Sequence, residues 1–370
     1  MIRRTDFVAG DFGVYVHIPF CSKRCDYCAF ATWTGKDALF GSYTDAVVRE
    51  IRSTRDRLPR ATSIFFGGGT PSLLPAEQLM QILDEIPRVF DCEITVECNP
   101  DTVTTDLFDE YLAHGVNRVS FGVQSMVPHV LESLGRTHNP ENVVAAVEQA
   151  RRVGVLFNLD LIYGAVGESM EDWAKTVDAV LALDAGHFSA YALTVEASTP
   201  LAADTNRHPD DDDEADKYER LSVALDAAGY DNYEISNWAR DGHESRHNLL
   251  YWAQGEYRGY GCAAHSHQGG RRFWNVRTPE RFIELLHATG SAESASEQLE
   301  PGARELEGLQ LALRTRQGVP TGAISEADRS LFLEAGWISV DGARTVLTRS
   351  GRMMANAVAV RLRTPGQAAS

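Results

Sequence analysis

Long apolar runs, basic residues and cysteine are all scarce in this 370-residue sequence. No stretch approaches the about 18 consecutive apolar residues of a membrane-spanning helix, so no such helix is predicted. Lysine and arginine total 35 against 52 aspartates and glutamates, which gives a formal net charge of −17. That balance argues against binding to nucleic acid, which needs a basic face, and against strong attraction to anionic lipid.

The same scarcities bear on location and size. The N-terminal residues lack the apolar core of a secretory signal, and six cysteines in a chain of this length do not indicate a disulfide framework. Both features favour the reducing cytoplasm. The apolar fraction of 44% is sufficient for a full hydrophobic core, and the length suits one large α/β domain with a smaller second domain.

Three of the six cysteines are concentrated in one short segment. Cys21, Cys25 and Cys28 stand at C-x3-C-x2-C spacing, directly after an apolar run that is predicted as a strand. Cysteine thiolates are the usual ligands of iron–sulfur clusters, and a four-iron cluster normally takes four of them. Only three are local here. The spacing therefore predicts a [4Fe–4S] cluster with one iron open to a non-protein ligand.

Two other interpretations of these cysteines are a structural zinc site, with His17 as the fourth ligand, and a set of buried free thiols. Zinc sites usually show paired C-x2-C or C-x2-C…H-x3-H spacing, and His17 lies on the predicted strand. The spacing therefore favours the cluster. Cys92, Cys98 and Cys262 are predicted to be core thiols rather than ligands.

Short apolar segments alternate with helical segments from about residue 12 to residue 235. The predicted strands are Gly13–Ile18, Ser63–Phe66, Glu93–Glu97, Arg118–Val123, Leu156–Ile162 and Phe188–Leu193. The predicted helices are Ser42–Arg57, Pro75–Val89, Thr105–His114, Asn142–Val153, Met170–Leu183 and one that opens at the acidic run Asp210–Glu214. This α/β alternation predicts a partial, TIM-like (β/α)6 barrel whose chemistry lies at the carboxyl ends of the strands.

The cysteine spacing resembles the signature of the radical S-adenosylmethionine (SAM) enzymes. The longer string from Tyr15 to Cys21, Y-V-H-I-P-F-C, resembles the branch that contains oxygen-independent coproporphyrinogen III dehydrogenase and the HemW heme chaperones. This resemblance implies a radical SAM core barrel over residues 1–235. It also implies SAM as the ligand of the open iron.

The resemblance further implies which residues hold SAM. Gly67 to Pro71 matches the family's G-G-G-T-P motif, although three glycines alone are equally compatible with a tight turn. The other expected contacts are polar groups at strand ends, and each of them alone is also compatible with a structural role. The expected SAM site consists of Tyr15, Tyr27, Gly68, Gly69, Thr70, Glu97, Gln124, Arg136 and Asp160.

Residues 236–300 are predicted to be a connecting segment that carries an H-N-x-x-Y-W string. Histidine and aromatic side chains beside glycines suit a flat iron porphyrin, but composition alone favours an aromatic-rich domain junction. The string resembles that of the heme chaperones. The resemblance implies heme contacts at His247, Asn248, Tyr251, Trp252 and His265, with Arg271 and Arg272 available for the heme carboxylates.

Residues 301–370 are predicted to form a smaller α+β domain, winged-helix-like and similar to the C-terminal domain of the coproporphyrinogen enzyme HemN. The predicted elements are helices over Ala303–Arg314 and Ile324–Ala335, a hairpin turning at Asp341-Gly342, a last helix over Arg349–Arg361 and a disordered tail over Pro365–Ser370.

Two functions fit these features. The first is a cytoplasmic heme chaperone that passes heme to apoproteins, such as respiratory hemoproteins at the membrane; it would carry the cluster and SAM, use an external electron donor and have a homodimer as one expected assembly. The second is the dehydrogenase, which performs a radical SAM oxidative decarboxylation. The dehydrogenase signature continues to a fourth cysteine where Phe30 stands here, and its segment before the motif is longer. The chaperone is favoured, and whether the chain is an enzyme stays open.

Overall fold

The structure is a computed structural model that describes residues 10–362. Its first six strands are parallel neighbours in one sheet, in chain order. They are β1 Phe12–Ile18, β2 Ala61–Gly68, β3 Arg88–Cys98, β4 Arg118–Gln124, β5 Leu156–Tyr163 and β6 His187–Ala192. Every predicted strand overlaps an observed one, so the predicted parallel core of the barrel is confirmed.

Helices cover the outer face of these strands. They are α1 Phe40–Thr54, α2 Ala76–Asp84, α3 Thr105–Ala113, α4 Pro128–Ser133, α5 Pro140–Val153, α6 Met170–Ala182, α7 Pro200–Ala203 and α8 Asp211–Ala227. Polar side chains set several of the starts. Ser169 and Asp172 form a capping box at α6, and the Asp210 side chain accepts the backbone N–H groups of Asp212 and Asp213 at α8.

Alternation along the strands separates a hydrophobic layer from the barrel interior. On β1, Val14 and Val16 are buried in the main hydrophobic core. Tyr15, between them, points to the opposite face and stacks on Phe65 of β2, with ring centroids 6.4 Å apart. A Cβ added at Gly67 would contact Phe65, Tyr15 and Glu97. Inward-facing residues of neighbouring strands therefore converge inside the barrel.

The sheet continues beyond both ends of this six-strand core, and the full order is β12-β11-β10-β9-β1-β2-β3-β4-β5-β6-β8-β7. The added strands are β7 Asp231–Glu234, β8 Asn237–Ala239, β9 Glu256–Tyr260, β10 His265–Gln268, β11 Arg271–Asn275 and β12 Glu293–Gln298. β9 pairs in parallel with β1. Residues 236–300 thus extend the barrel sheet and add two helices, α9 Arg246–Trp252 and α10 Pro279–Ala288.

The C-terminal part has its own small core. A three-stranded antiparallel sheet, in the order β13-β15-β14, packs with short helices around Leu313, Phe332 and Val358. Its elements are α11 Pro301–Ala312, β13 Val319–Pro320, α12 Glu326–Glu334, β14 Ile338–Asp341, β15 Arg344–Leu347, α13 Arg349–Met353 and α14 Ala355–Ala359. This arrangement confirms the predicted smaller α+β domain and its hairpin at Asp341-Gly342.

One prediction in this domain is wrong. The last helix, predicted over Arg349–Arg361, is divided at Met354, whose φ of −97° and ψ of 14° are not helical. The two halves have different partners: Gly351 of α13 packs on the backbone of Trp337, whereas Val358 of α14 fills the small core. The predicted tail, Pro365–Ser370, lies outside the described residues. None of the helices within residues 10–362 has the length and apolar character needed to cross a membrane.

Candidate active site around the cysteine loop

The three cysteines of the C-x3-C-x2-C segment lie on the loop that follows β1, at the carboxyl end of the strand. The loop is closed at its base because Cys21 N–H donates to the Trp33 carbonyl at 3.0 Å. Cys21, Cys25 and Cys28 are all partly buried, and all three line a cavity of about 560 Å³. Burial raises the pKa of Cys21, and a hydrogen bond from Thr70 partly offsets this effect.

The structure bears on the zinc interpretation through His17. Its Nδ1 lies 2.9 Å from the Tyr15 hydroxyl and its Nε2 lies 2.9 Å from the Ala31 carbonyl, so both ring nitrogens are occupied. Within residues 10–362, no three His, Cys, Asp or Glu side chains converge on a point that one metal ion would fill. A four-iron cluster binds each thiolate at a different iron, so its ligands need not converge in this way.

The glycine turn after β2 packs directly on the cysteine loop. Gly69 N–H donates to the Ile18 carbonyl and Thr70 N–H donates to the Phe20 carbonyl, both at 2.8 Å. A Cβ at Gly69 would lie 2.5 Å from the Phe20 carbonyl oxygen and 3.0 Å from Cys21 Sγ. Gly68 has a φ of +116°. Glycine is therefore needed at both positions, one for close approach and one for its backbone conformation.

Two buried carboxyl groups line the cavity. Glu97, at the end of β3, accepts the Gly68 N–H at 3.1 Å, and burial together with Asp160 raises the pKa of Glu97 to about 8. Asp160, on β5, accepts the Ser120 hydroxyl at 2.8 Å and the Asn158 amide at 2.6 Å. Burial also raises the Asp160 pKa. Burial therefore favours the neutral form of both carboxyl groups in the cofactor-free cavity.

A cationic side chain lines the same cavity and contacts the cysteine loop. Arg136 donates to the Gly122 carbonyl at 2.7 Å and reaches Cys25 Sγ at 3.7 Å. Gln124, at the end of β4, has a φ of +63°, a conformation that non-glycine residues rarely adopt and that often marks a functional site. A Cβ at Gly122 would touch the side chains of both Gln124 and Arg136. These residues therefore form one packed wall.

The cavity collects most of the side chains that the resemblance assigned to SAM. Cys21, Cys25, Cys28, Tyr27, Gly68, Gly69, Thr70, Glu97, Gln124, Arg136 and Asp160 all line it. Tyr15 is the exception, because it stacks on Phe65 behind the lining. Phe30 stands at the mouth with 65% of its side chain exposed.

Several cavity residues were missed by the sequence reasoning. His138 is buried, its Nε2 lies 2.9 Å from the Val123 carbonyl, and its Nδ1 has no hydrogen-bond partner. Burial lowers the pKa of His138 to about 4, so the ring is neutral near pH 7. Arg118 and His187 line the deeper part. The sequence signal for His138 was the motif Leu134-Gly-Arg136 just before it. Arg118 and His187 carry no such signal, and only the folded barrel shows that they line the cavity.

The H-N-x-x-Y-W segment forms α9, which closes the deep end of the barrel. Glu93 of β3 accepts the backbone N–H groups of Arg246 and His247 at 3.2 and 3.1 Å, and Asn248 lines the cavity. His247 is 1% exposed. Its Nδ1 lies 2.9 Å from the Ser63 hydroxyl, and its Nε2 lies 2.9 Å from the Tyr251 hydroxyl. Burial lowers the pKa of His247 to about 3.

Two of the other residues predicted to contact heme, Trp252 and His265, have neighbours of their own. Trp252, also on α9, lies beside the buried Glu234. His265 is on β10 and stacks on Trp274 with ring centroids 5.4 Å apart. The two arginines expected to bind heme carboxylates already have partners: Arg271 pairs with Glu293, and Arg272 pairs with Glu297 and Glu307. These acidic partners were not foreseen from the sequence.

Comparison with known proteins places this geometry in a family. Residues 15–180 match the family model described as the radical SAM superfamily. A Mycobacterium tuberculosis protein named heme chaperone HemW is 41% identical over 365 residues, which cover 94% of this chain and 93% of that protein. Proteins of the same name from Bacillus subtilis and Escherichia coli are 34% and 33% identical, each over 93% of this chain, and the match covers 97% and 96% of their lengths.

Among solved structures, the Escherichia coli coproporphyrinogen III oxidase HemN, described as a radical SAM enzyme, superposes with a TM-score of 0.83. The match covers 96% of this chain and 90% of that one at 22% identity, so it supports the fold alone. The identity to the curated relatives is higher and extends over nearly the whole chain. This chain therefore belongs to the radical SAM superfamily and, within it, to the HemW family.

Proposed function

We propose that this chain is a heme chaperone that binds heme and passes it to apoproteins, and that it carries a [4Fe–4S] cluster and SAM. The observation that carries the proposal is the identity of 41% to a protein named heme chaperone HemW over 94% of the chain. Respiratory hemoproteins are the acceptors we favour. The homodimer and the external electron donor stay predictions.

In this proposal the cluster is held by Cys21, Cys25 and Cys28. The fit rests on the donor set: three thiols on one loop line a single cavity, and Arg136 donates toward one of them. The bound cluster would supply an iron with an open coordination position. The loop supplies no fourth thiolate. Phe30, which is exposed at the mouth of the cavity, stands at the position where the dehydrogenase motif carries a cysteine.

SAM fits the polar lining of the same cavity. Its sulfonium and ammonium groups are cationic, and a bound cation would favour the carboxylate forms of Glu97 and Asp160, whose pKa values burial raises in the cofactor-free protein. Arg136 provides a cation for the SAM carboxylate. The Gly69 backbone allows close approach beside Cys21. His138 Nδ1, a buried acceptor without a partner, would accept a hydrogen bond from an amine or hydroxyl of the cofactor.

The experiment that tests the proposal uses one anaerobic preparation and two assays. The first titrates the reconstituted protein with hemin and records difference spectra, so that absorption by the cluster cancels. The second supplies coproporphyrinogen III, SAM and a reductant and looks for protoporphyrinogen. We expect stoichiometric heme binding and no decarboxylation. Turnover of coproporphyrinogen with only weak heme binding would overturn the proposal and favour the dehydrogenase.

A further inference from the structure

A chain of hydrogen bonds runs through the barrel from the cavity to the start of α9. Asp160 of β5 lines the cavity, and Asn158, on the same strand, donates to Asp160 Oδ1 at 2.6 Å. His187 of β6 follows, with its Nδ1 2.5 Å from Asn158 Oδ1 and its Nε2 2.7 Å from the hydroxyl of Tyr233 on β7. That hydroxyl accepts the backbone N–H of Ser245, the residue that caps α9, at 3.3 Å. An unbroken path therefore joins the cavity to the helix of the H-N-x-x-Y-W string.

The neighbours of this chain fix which atoms donate and which accept. The Asn158 amide nitrogen also faces the hydroxyl oxygens of Ser120 and Ser189, at 2.6 and 3.0 Å, so the amide oxygen is the end that faces His187. An amide oxygen only accepts hydrogen bonds. His187 Nδ1 therefore carries the proton of the neutral ring, and Nε2 carries the lone pair. It follows that the Tyr233 hydroxyl donates to Nε2.

Every bond in the chain points toward the same carboxyl group. The Ser245 N–H donates to Tyr233, and Tyr233 donates to His187. His187 donates to Asn158, and Asn158 donates to Asp160. Burial lowers the pKa of His187, so its ring stays neutral near pH 7 and the direction of the chain is kept. Donors aligned in this way polarise one another and together stabilise negative charge on Asp160.

The acceptor at the cavity end of the chain can change its charge. Burial raises the pKa of Asp160, so the empty cavity favours its neutral form, whereas a bound cation favours the carboxylate. A hydrogen bond to a carboxylate is shorter and stronger than one to a neutral acid. Because Asn158, His187, Tyr233 and Ser245 are all buried, water does not weaken the bonds that lead away from Asp160. A cation bound at Asp160 therefore strengthens the chain as far as α9.

From this geometry we propose that His187 and Tyr233 are positioning residues that couple the SAM site to α9, so that SAM bound at Asp160 stabilises the start of the helix. This inference rests on the proposed function, because it takes Asp160 as a contact of the SAM cation. The coupling is reciprocal, so an ordered helix start favours SAM binding by the same factor. The helix thus responds to the cofactor through side chains that lie outside its own H-N-x-x-Y-W string.

The test compares Tyr233→Phe, which removes one oxygen atom from the chain, with Tyr111→Phe. Tyr111 is as deeply buried as Tyr233, at 1% exposed, but its hydroxyl has no hydrogen-bond partner. Hydrogen exchange of residues 245–252 is measured by mass spectrometry in the full-length, cluster-loaded protein with and without SAM. We expect SAM to slow this exchange in wild-type and Tyr111→Phe protein but not in Tyr233→Phe. Tyr233→Phe should also bind SAM about threefold to tenfold more weakly, which is the effect of one lost hydrogen bond.

A double-mutant cycle separates this coupling from a general structural effect. In the Asp160→Asn background the acceptor at the end of the chain cannot ionise, so adding Tyr233→Phe should cost no further SAM affinity. An equal loss of affinity from Tyr233→Phe in both backgrounds, or a wild-type exchange response to SAM in Tyr233→Phe, would overturn the coupling while the proposed function stands. If wild-type protein binds no SAM, the SAM part of the proposed function fails and this inference fails with it.

Discussion

Single atoms decide how close a cofactor can approach the cysteine loop. Gly69 is the tightest such position, since a Cβ would lie 2.5 Å from the Phe20 carbonyl oxygen and 3.0 Å from Cys21 Sγ. Both contacts are with atoms that position the loop. A larger residue must therefore displace either the turn after β2 or the first cysteine.

We predict that Gly69→Ala weakens SAM binding by about tenfold or more, because even a shift of a few tenths of an ångström at this packed turn costs more than about 1 kcal/mol. The measurement is the effect of SAM on the electron paramagnetic resonance spectrum of the reduced cluster. Gly41→Ala, on α1, is the matched control, since a Cβ there meets nothing within 4 Å. Equal SAM affinities for the two variants would contradict the assigned role of the turn.

The cysteines divide into two sets that make opposite predictions. Wild-type protein reconstituted without oxygen should hold about four irons and four sulfides per chain, and Cys25→Ala should lose this content. Cys92→Ala should retain it, because burial raises the pKa of the Cys92 thiol to about 12 and its Sγ lies against the Glu93 carbonyl. Iron and sulfide analysis decides the matter. A full cluster in the Cys25→Ala protein would remove Cys25 from the ligand set.

Glu97 makes stability depend on pH. Its folded-state pKa of about 8 lies above the ordinary value of 4.5, because burial, reinforced by Asp160, disfavours the carboxylate. The unfolded chain therefore loses this proton at a lower pH than the folded chain does. The contribution of Glu97 to the free energy of unfolding falls as pH rises from 4.5 toward 8. Within that window the slope is at most roughly 1.4 kcal/mol per pH unit for this one group.

Glu97→Gln should accordingly become more stable relative to wild type as the pH is raised from 6 toward 8. Urea unfolding of cofactor-free protein at several pH values measures the difference. Glu148→Gln, at an exposed position on α5, serves as the control and should show a pH-independent difference from wild type. A constant difference between Glu97→Gln and wild type would show that Glu97 ionises normally in the fold.

At the scale of elements, α9 connects the cavity to the added strands. Asn248 of this helix lines the cavity, and Tyr251, near the end of the helix, packs on Tyr257 of β9. The carboxylate of Glu93, more than 150 residues earlier in the sequence, accepts the first backbone N–H groups of the helix and so fixes where it begins. An acidic partner at a helix start complements the unpaired N–H groups and the helix dipole.

Glu93→Ala should loosen this helix, because two backbone N–H groups would lose a charged acceptor worth about 1.5–3 kcal/mol for each buried bond. Hydrogen exchange of the α9 amides should accelerate, while exchange in β5, on the other side of the barrel, should not. Glu110→Ala, on α3, provides a control at a more exposed acid. Unchanged protection of α9 in the Glu93→Ala protein would mean that packing alone holds the helix.

The elements also show what the sequence can predict. The six parallel strands were foreseen because each carries its own signal: a short β-rich apolar run that is followed by a helix with helical periodicity. Strands β7 to β12 were not foreseen. β9 is short and contains Gly259, and it forms a strand because it pairs with β1, some 240 residues earlier in the chain. Pairing of that kind is a tertiary effect that no local pattern contains.

The candidate site divides in the same way. Residues on recognisable strings, such as Cys21–Cys28 and Gly67–Pro71, were placed at the correct end of the barrel. His247 was expected at a ligand site because of its string, yet the structure gives both of its nitrogens protein partners. The unpartnered Nδ1 of His138 is visible only when the hydrogen-bond partner of Nε2 is known.

For the whole molecule, one continuous twelve-stranded sheet contains both the six core strands and the added strands. The cavity is at the carboxyl ends of β1 to β6, and Tyr257, His267 and Arg272 are cross-strand partners on β9 to β11. The C-terminal domain is joined to the barrel by ion pairs, including Arg316 with Glu244 at 2.9 Å.

The central claim is that this chain delivers heme to other proteins, and a transfer measurement tests it most directly. Protein loaded with its cluster, SAM and one equivalent of hemin is mixed with the apo form of a b-type respiratory hemoprotein, and the acceptor spectrum is followed in time. Apomyoglobin, in a parallel experiment, reports passive release of heme. We predict that transfer to the respiratory acceptor becomes faster as its concentration rises and exceeds the passive rate. A rate that is independent of acceptor concentration and equal to passive release would contradict the account.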